Sequence, residues 1–394
     1  MRIETASREA MPCLSPSATG GKTSNFKLRI RSEVDFIARD GERMWYFITV
    51  VLVGPGGARA CVMRHKLWLL IYIAMVILSG CLAAPIAYSG RGISIAGCKP
   101  APERDQFISS CSARRFGDFE HAAFWFGIER RALANLKAAD VVFTGSSRTM
   151  FAFSTAEVRS YFAARGLRQF NLGFSYEDQQ AFFSALAVKH HLRPRVLVIG
   201  VDPYFNDRVS EPALAAMHDR WELGRALVKK GEMWAQPALC KFRFIDCEIA
   251  PTAFRSSVDG YFLWRDSLMA DRQRPRVRRD RLRDFQVNVP LAAIEANTFL
   301  KRIGMPADCV VLVPMPTTEI WPKPDPTSQL AETIGAMYID ADTGDDLTFV
   351  DEVHLSFDSA KRFSSEFVRA FDRLPQTCLN NGPLPAEASA LPGK

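Results

Sequence analysis

The sequence predicts an α/β fold with a central parallel sheet covered by helices, and three observations carry that expectation. The runs Val141–Thr144, Val196–Val201 and Cys309–Val313 are apolar, too short for helices, and read as strands buried on both faces. Stretches with helical spacing separate most of them. Two of the runs also close on a residue that turns the chain, Gly145 and Pro314. Strands alternating with helices give βαβ units, whose reactive groups gather at the carboxyl ends of the strands.

Taken in order, residues 1–62 read either as a cytoplasmic leader or as sequence upstream of the true start, for which Met63 is a candidate. Leu67 to Tyr88 carries no charge and exceeds the roughly 20 residues that span a bilayer. Arg64, His65 and Lys66 precede it, so the positive-inside rule places the C-terminal bulk outside the cytoplasm. Leu78-Ser79-Gly80-Cys81 resembles a lipobox, which leaves two modes for residues 63–90: a signal anchor, or a lipoprotein signal cleaved before Cys81. The apolar run continues past Cys81, which favours the anchor.

Residues 91–137 form a lead-in with an amphipathic helix expected over Phe119–Leu136. The strand Val141–Thr144 ends in Gly145-Ser146-Ser147-Arg148, and a helix is expected from Ser154 to Arg165, with Ser154 or Thr155 as its N-cap. A strand Arg168–Leu172 closes on Gly173, and a helix from about Asp178 to His190 leads to the strand Val196–Val201. Residues 207–300 read as a helical, irregular insertion capping the sheet. Its basic stretch, Asp271 to Asp284, is either a solvated face or a cradle for an anionic glycan, phosphate polymer or lipid headgroup. After the strand Cys309–Val313, Phe357, Ala360, Phe363, Phe367, Phe371 and Leu374 mark the apolar side of a final helix. The main domain thus spans 138–375, and 376–394 reads as a disordered tail.

Six cysteines follow the apolar run, an even number in a compartment that permits disulfides. Cys98 with Cys111 and Cys240 with Cys247 are expected local pairs. Cys309 opens an apolar strand and reads equally as a buried thiol.

Serine becomes a nucleophile when a base takes its proton, and the base needs a carboxylate to fix its tautomer. Ser147 stands on the turn after the first strand. Asp351-Glu352-Val353-His354 lies just before the final helix, where a three-residue offset lets the carboxylate reach back to its own imidazole. His190 and His191 follow a helix and read as exposed. No ligand spacing points to a metal, and no cofactor is expected. The net charge of +7 comes without zinc-finger spacing or an RNP-like aromatic pattern, which excludes nucleic acid as the expected partner.

The Gly-x-Ser turn and the Asp-x-x-His loop, in this order, resemble the SGNH/GDSL hydrolases over about Ala138 to Leu374. The resemblance implies a three-layer flavodoxin-like SGNH fold, with Ser147, Asp351 and His354 catalytic. Asn171-Leu172-Gly173 resembles the second block, whose glycine amide joins the oxyanion hole. The third block departs from the pattern: Gly200-Val201-Asp202 puts a carboxylate where an amide donor is expected, and an ionised carboxylate cannot donate. Either Asp202 is structural, or Asn171 or Asn206 donates, or the substrate binds differently. Arg148 reads as a partner for a substrate carboxylate or phosphate, or as one half of a structural ion pair. These variants look like those of membrane-anchored proteins of alginate O-acetylation and teichoic-acid D-alanylation. The implied activity is a periplasmic serine esterase or O-acyltransferase, held at the bacterial cytoplasmic membrane through residues 67–88 and acting on an envelope carbohydrate with an acyl donor. The rival is a non-catalytic protein of this fold that binds glycan or envelope-assembly partners.

Overall fold

The computed structural model describes residues 70–78, 95–99, 101–111, 117–174, 180–202, 205, 209–241, 247–250, 252–263, 273–278, 288–320, 325–344, 346–374 and 377–380. They divide into two units, Met1–Arg91 and Gly92–Lys394. In the first, residues 70–78 form helix α1, whose apolar side chains, Leu70, Tyr72, Met75 and Ile77 among them, are exposed. No helix among the described residues is long and apolar enough to cross a membrane. The remainder of the 67–88 run, Met63 and Cys81 lie outside the described residues.

The second unit opens with β1 (Ile95–Cys98), β2 (Gln106–Cys111), β3 (Gly117–Asp118), α2 (Glu120–Trp125) and α3 (Arg130–Lys137). The single helix expected over Phe119–Leu136 is therefore two, broken where Gly127 takes a left-handed φ of 65°. Next come β4 (Val141–Thr144), α4 (Ser147–Phe153), α5 (Ala156–Ala164), β5 (Gln169–Asn171), α6 (Gln180–His190) and β6 (Val196–Val201). Thr155 caps α5, its hydroxyl accepting from the Val158 N–H, while Ser154 ends the unforeseen helix α4.

The region read as a helical cap proves mixed: α7 (Glu211–His218) and α8 (Glu222–Lys241) are followed by β7 (Cys247–Ala250), β8 (Thr252–Ser256), β9 (Phe262–Leu263), β10 (Arg274–Pro275) and β11 (Val277–Arg278). The chain closes with α9 (Val289–Ile303), β12 (Val310–Pro314), β13 (Glu319–Ile320), α10 (Pro326–Ile334), β14 (Met337–Tyr338), β15 (Thr348–Phe349), α11 (Phe357–Phe371) and α12 (Thr377–Asn380). Helix α12 stands where the sequence suggested only a disordered tail.

Five strands form an all-parallel sheet in the spatial order β14-β12-β6-β4-β5. Numbered along the chain, that is the 2-1-3-4-5 order of doubly wound, flavodoxin-like sheets, with its switch point between β4 and β6. The central strands are dry, as the apolar runs required: Val141 to Phe143, Leu197 to Ile199 and Val310 to Val313 have no exposed surface. Helices flank the sheet in two packed groups, α4 and α5 with α11, and α6 with α9 and α10. Phe143, Phe153, Phe162, Phe367 and Phe371 interlock between the sheet and α11.

The lead-in is not a separate preface. Its β2 and β3 pair with β8 and β9 from the insertion in a four-stranded antiparallel sheet, order β3-β2-β8-β9. The expected Cys98–Cys111 disulfide forms and ties β2 of this sheet to β1, whereas the side chains of Cys240 and Cys247 lie outside the described residues. Cys309 is not a free thiol: it bonds to Cys378 of α12, across a sequence separation of 69. Closing so long a loop stabilises by about 4 kcal/mol in the chain-entropy picture.

The two sheets are joined by a charged pair with no exposure at all. Arg255 of β8 meets Glu120 of α2 at 2.6 Å, and the Ser109 hydroxyl donates to the same carboxylate oxygen at 2.8 Å. The rest of the guanidinium donates to the carbonyls of Asn171 (3.3 Å), Gly173 and Gly260 (3.2 Å), with Phe124 and Phe174 on its flanks. Burial pushes the Arg255 pKa down, and the charges of Glu120 and Asp118 push it back up. Removing one partner of such a pair strands the other charge, at a cost of about 3–5 kcal/mol. Glu120→Gln should therefore lower the urea-derived stability by that order. A Glu120→Gln loss below about 1 kcal/mol would show that the pair does not hold the sheets together.

Candidate active site

The turn after β4 works through two close approaches. Gly145 has φ 149°, and a Cβ there would lie 2.2 Å from the Thr149 hydroxyl. At Gly173 a Cβ would lie 2.6 Å from the Met150 amide nitrogen. Only glycine lets α4 settle this low over the strand ends. Ser146 caps α4, its hydroxyl accepting from the Arg148 N–H at 3.2 Å, so Ser147 is the first residue of the helix.

From the far end of the chain, residues 349–355 fold back as a small hairpin, bridged at Phe349 and Leu355 and by the Val350 N–H to the His354 carbonyl. Inside it, Asp351 Oδ1 accepts from the Val353 and His354 amides at 2.8 and 2.7 Å, and Asp351 Oδ2 lies 2.7 Å from His354 Nδ1. His354 Nε2 is 2.8 Å from Ser147 Oγ. The structure thus brings Ser147, His354 and Asp351 into one unbroken chain at the carboxyl ends of the strands.

The carboxyl of Asp351 sits at about 2. Partial burial alone would raise it, but the hydrogen bonds from the His354 ring and from two amides, with the imidazole charge, more than offset that. Being ionised, it can only accept, so the proton on Nδ1 is fixed and Nε2 is left to accept from the Ser147 hydroxyl. Phe151, one turn after Ser147 on α4, stacks on the imidazole with centroids 4.3 Å apart, and Phe262 of β9 backs Phe151 at 5.2 Å. The i, i+4 spacing of Ser147 and Phe151 is a signal the sequence did carry.

The other sequence candidates fall out differently. Asn171 is buried and fully engaged: its amide donates to the Met150 carbonyl and the Ser154 hydroxyl, and its Oδ1 accepts from the Gly173 N–H at 3.1 Å. The two oxyanion candidates, the Gly173 amide and the Asn171 side chain, are thus hydrogen-bonded to each other within the turn. The Ser147 N–H has no hydrogen-bond partner among the described residues. Asn206 lies outside the described residues. Asp202 and Arg148 are partners at 2.5 Å, and the second Asp202 oxygen accepts from the Ser146 hydroxyl at 3.3 Å. The unexpected carboxylate at the end of β6 is thus matched by the cation next to Ser147, so of the readings open to Arg148 the ion pair is the one formed.

His190 is half-buried rather than exposed, its Nε2 3.1 Å from the Trp125 carbonyl, and burial lowers its pKa. Asp118, Glu120 and His121 bring ligand-type atoms within 4.8 Å of one another, but Glu120 already has Arg255 for its countercharge. Within the basic stretch, Arg276 is no solvated charge: it is buried and donates to the carbonyls of Thr317, Glu319 and Gly344 and to the Asp342 carboxylate. The Thr318 hydroxyl then donates to the Glu352 carbonyl at 3.1 Å, so Arg276 braces the loop that braces the Asp-His hairpin.

No protein-family model and no curated protein matches the chain.

The depressed Asp351 pKa makes a pH prediction. A carboxyl held at about 2 in the folded state, against 3.8 ordinarily, adds stability that is fully present above about pH 4 and lost as pH falls from 4 towards 2. Asp351→Asn should flatten that part of the profile. Urea unfolding of both proteins in this window checks it, and parallel profiles would count against the ionised, hydrogen-bonded carboxylate.

Proposed function

We propose that this chain is a membrane-tethered, extracytoplasmic serine esterase or O-acyltransferase of the SGNH type, acting on a cell-envelope carbohydrate. The observation that carries the reading is the continuous Ser147–His354–Asp351 hydrogen-bond chain at the switch point of a parallel sheet. The 2-1-3-4-5 strand order and the placing of Ser147 after β4 and of Asp351 and His354 just before α11 support the SGNH assignment. The uncharged run at 67–88, its basic flank and the exposed apolar side chains of α1 support the tether.

In this mechanism His354 Nε2 takes the Ser147 proton as Oγ attacks the ester carbonyl, and the Ser147 N–H faces the developing oxyanion. Collapse expels the alcohol, which takes its proton from His354, and leaves an acyl-serine. Water or a sugar hydroxyl, deprotonated by the same imidazole, then attacks the acyl carbon and releases Ser147. Hydrolysis and transfer differ only in that second nucleophile.

A second reading, a non-catalytic member of the fold that binds glycan or assembly partners, is favoured by the Gly173 amide being engaged and by Asp202 standing in place of an amide donor. Labelling separates the two. The full chain in detergent should react with an active-site serine phosphonate, and Ser147→Ala should abolish the adduct. Equal labelling of both proteins, or none in either, would overturn the catalytic reading.

The triad members should also fail unequally. His354→Ala removes the base and should slow ester turnover by on the order of 10⁴, Asp351→Ala by no more than that, and the double variant by hardly more than His354→Ala. Additive losses would mean that the three do not act as a unit.

A further inference from the structure

We propose that the exposed apolar face of α8 is an interfacial docking surface that seats the catalytic domain on an anionic bilayer. On this helix Leu223, Leu227 and Trp234 recur on one stripe, with Val228 beside it, and all four are exposed, Trp234 to 85%. Trp221 just precedes the helix and is 65% exposed, with the Arg220 guanidinium 5.1 Å from its ring centre. Glu222 and Ala226 are buried on the inner side. Two exposed tryptophans on a leucine-lined helix edge are uncommon on a solvated surface.

The occupant follows from the chain itself. The uncharged run ends at Tyr88, and six residues, Ser89 to Ser94, separate it from β1. Fully extended, that link reaches about 20–25 Å. Strand β1 packs against α8, so a tethered domain carries this face within a short span of the lipid. Tryptophan and leucine with neighbouring Arg220, Lys229 and Lys230 is the composition of a helix lying at the headgroup boundary of an anionic surface. A helix docked in this way would fix the orientation of the Ser147 site relative to the membrane, beyond merely limiting its distance.

The inference rests on the tethered reading above, and the test keeps the two apart. The full chain is reconstituted in phosphatidylethanolamine–phosphatidylglycerol vesicles with brominated acyl chains, which quench nearby indoles, and compared with Trp234→Phe. Docking predicts that the quenched emission of Trp234→Phe falls by about the share of one of the seven tryptophans. Leu227→Glu with Val228→Glu should lower it at least as far by lifting the helix, with Trp221 and Trp234, off the lipid. Unchanged quenched emission in Trp234→Phe, with the protein retained on the vesicles through an alkaline carbonate wash, overturns the docking surface and leaves the tether. Release of the protein by that wash overturns the tether on which the proposal stands. Loss of self-association in the glutamate variant, without any change in Trp234 quenching, would reassign the face to a second copy of the chain and also overturn the proposal.

Discussion

The buried guanidinium of Arg255 is the constraint on which the rest of the arrangement depends. A charge at that depth is tolerable only if every donor finds an acceptor, and Arg255 spends its donors on a carboxylate from α2 and on carbonyls from two other segments. The antiparallel sheet, helix α2 of the lead-in and the Asn171–Gly173 turn are thereby fixed to one another. Asn171 receives further support from the same side, its N–H donating to the Asp259 carbonyl at 2.8 Å, while the Phe262 N–H donates to Ser154 at 2.9 Å. The insertion is better described as a brace than as a cap.

That brace reaches the chemistry through packing. Phe262 supports Phe151, and Phe151 supports the imidazole of His354. From the opposite side Arg276 gathers the loops around Thr317 and Asp342 and, through Thr318, holds the backbone of Glu352. The imidazole is therefore held by a carboxylate at Nδ1, an aromatic ring on one face and a braced hairpin behind. Such fixation is what the proposed role of His354 as a general base requires, because its geometry with Ser147 must survive thermal motion.

What the sequence disclosed were the features written in local pattern. The strands at Val141, Val196 and Val310 announce themselves by unbroken apolar runs, and the three-residue offset of Asp351 and His354 is visible in a single loop. The hidden parts are those in which the partners lie far apart in the chain. Gln106–Cys111 alternates poorly and becomes a strand because Thr252–Ser256 lies beside it. Glu120 and Arg255 each look like an ordinary surface charge, and Arg276 was one arginine in a basic stretch. The hydrogen bond of the Gly173 amide was hidden for a related reason: it hangs on whether the Asn171 side chain curls back to accept it. The Cys309–Cys378 bond gave no spacing signal and crosses into a segment whose composition looks like a tail.

That disulfide divides the site in a way the sheet topology does not. Asp351 and His354 lie inside the covalent ring closed by Cys309 and Cys378, whereas Ser147 lies outside it. A single protease cut anywhere between the two cysteines would open the ring without separating the pieces, so the Asp351–His354 arm would stay fastened to β12 even after its backbone was severed. Reducing the bond would remove that insurance, and the same cut would then leave only packing to hold the imidazole against the serine.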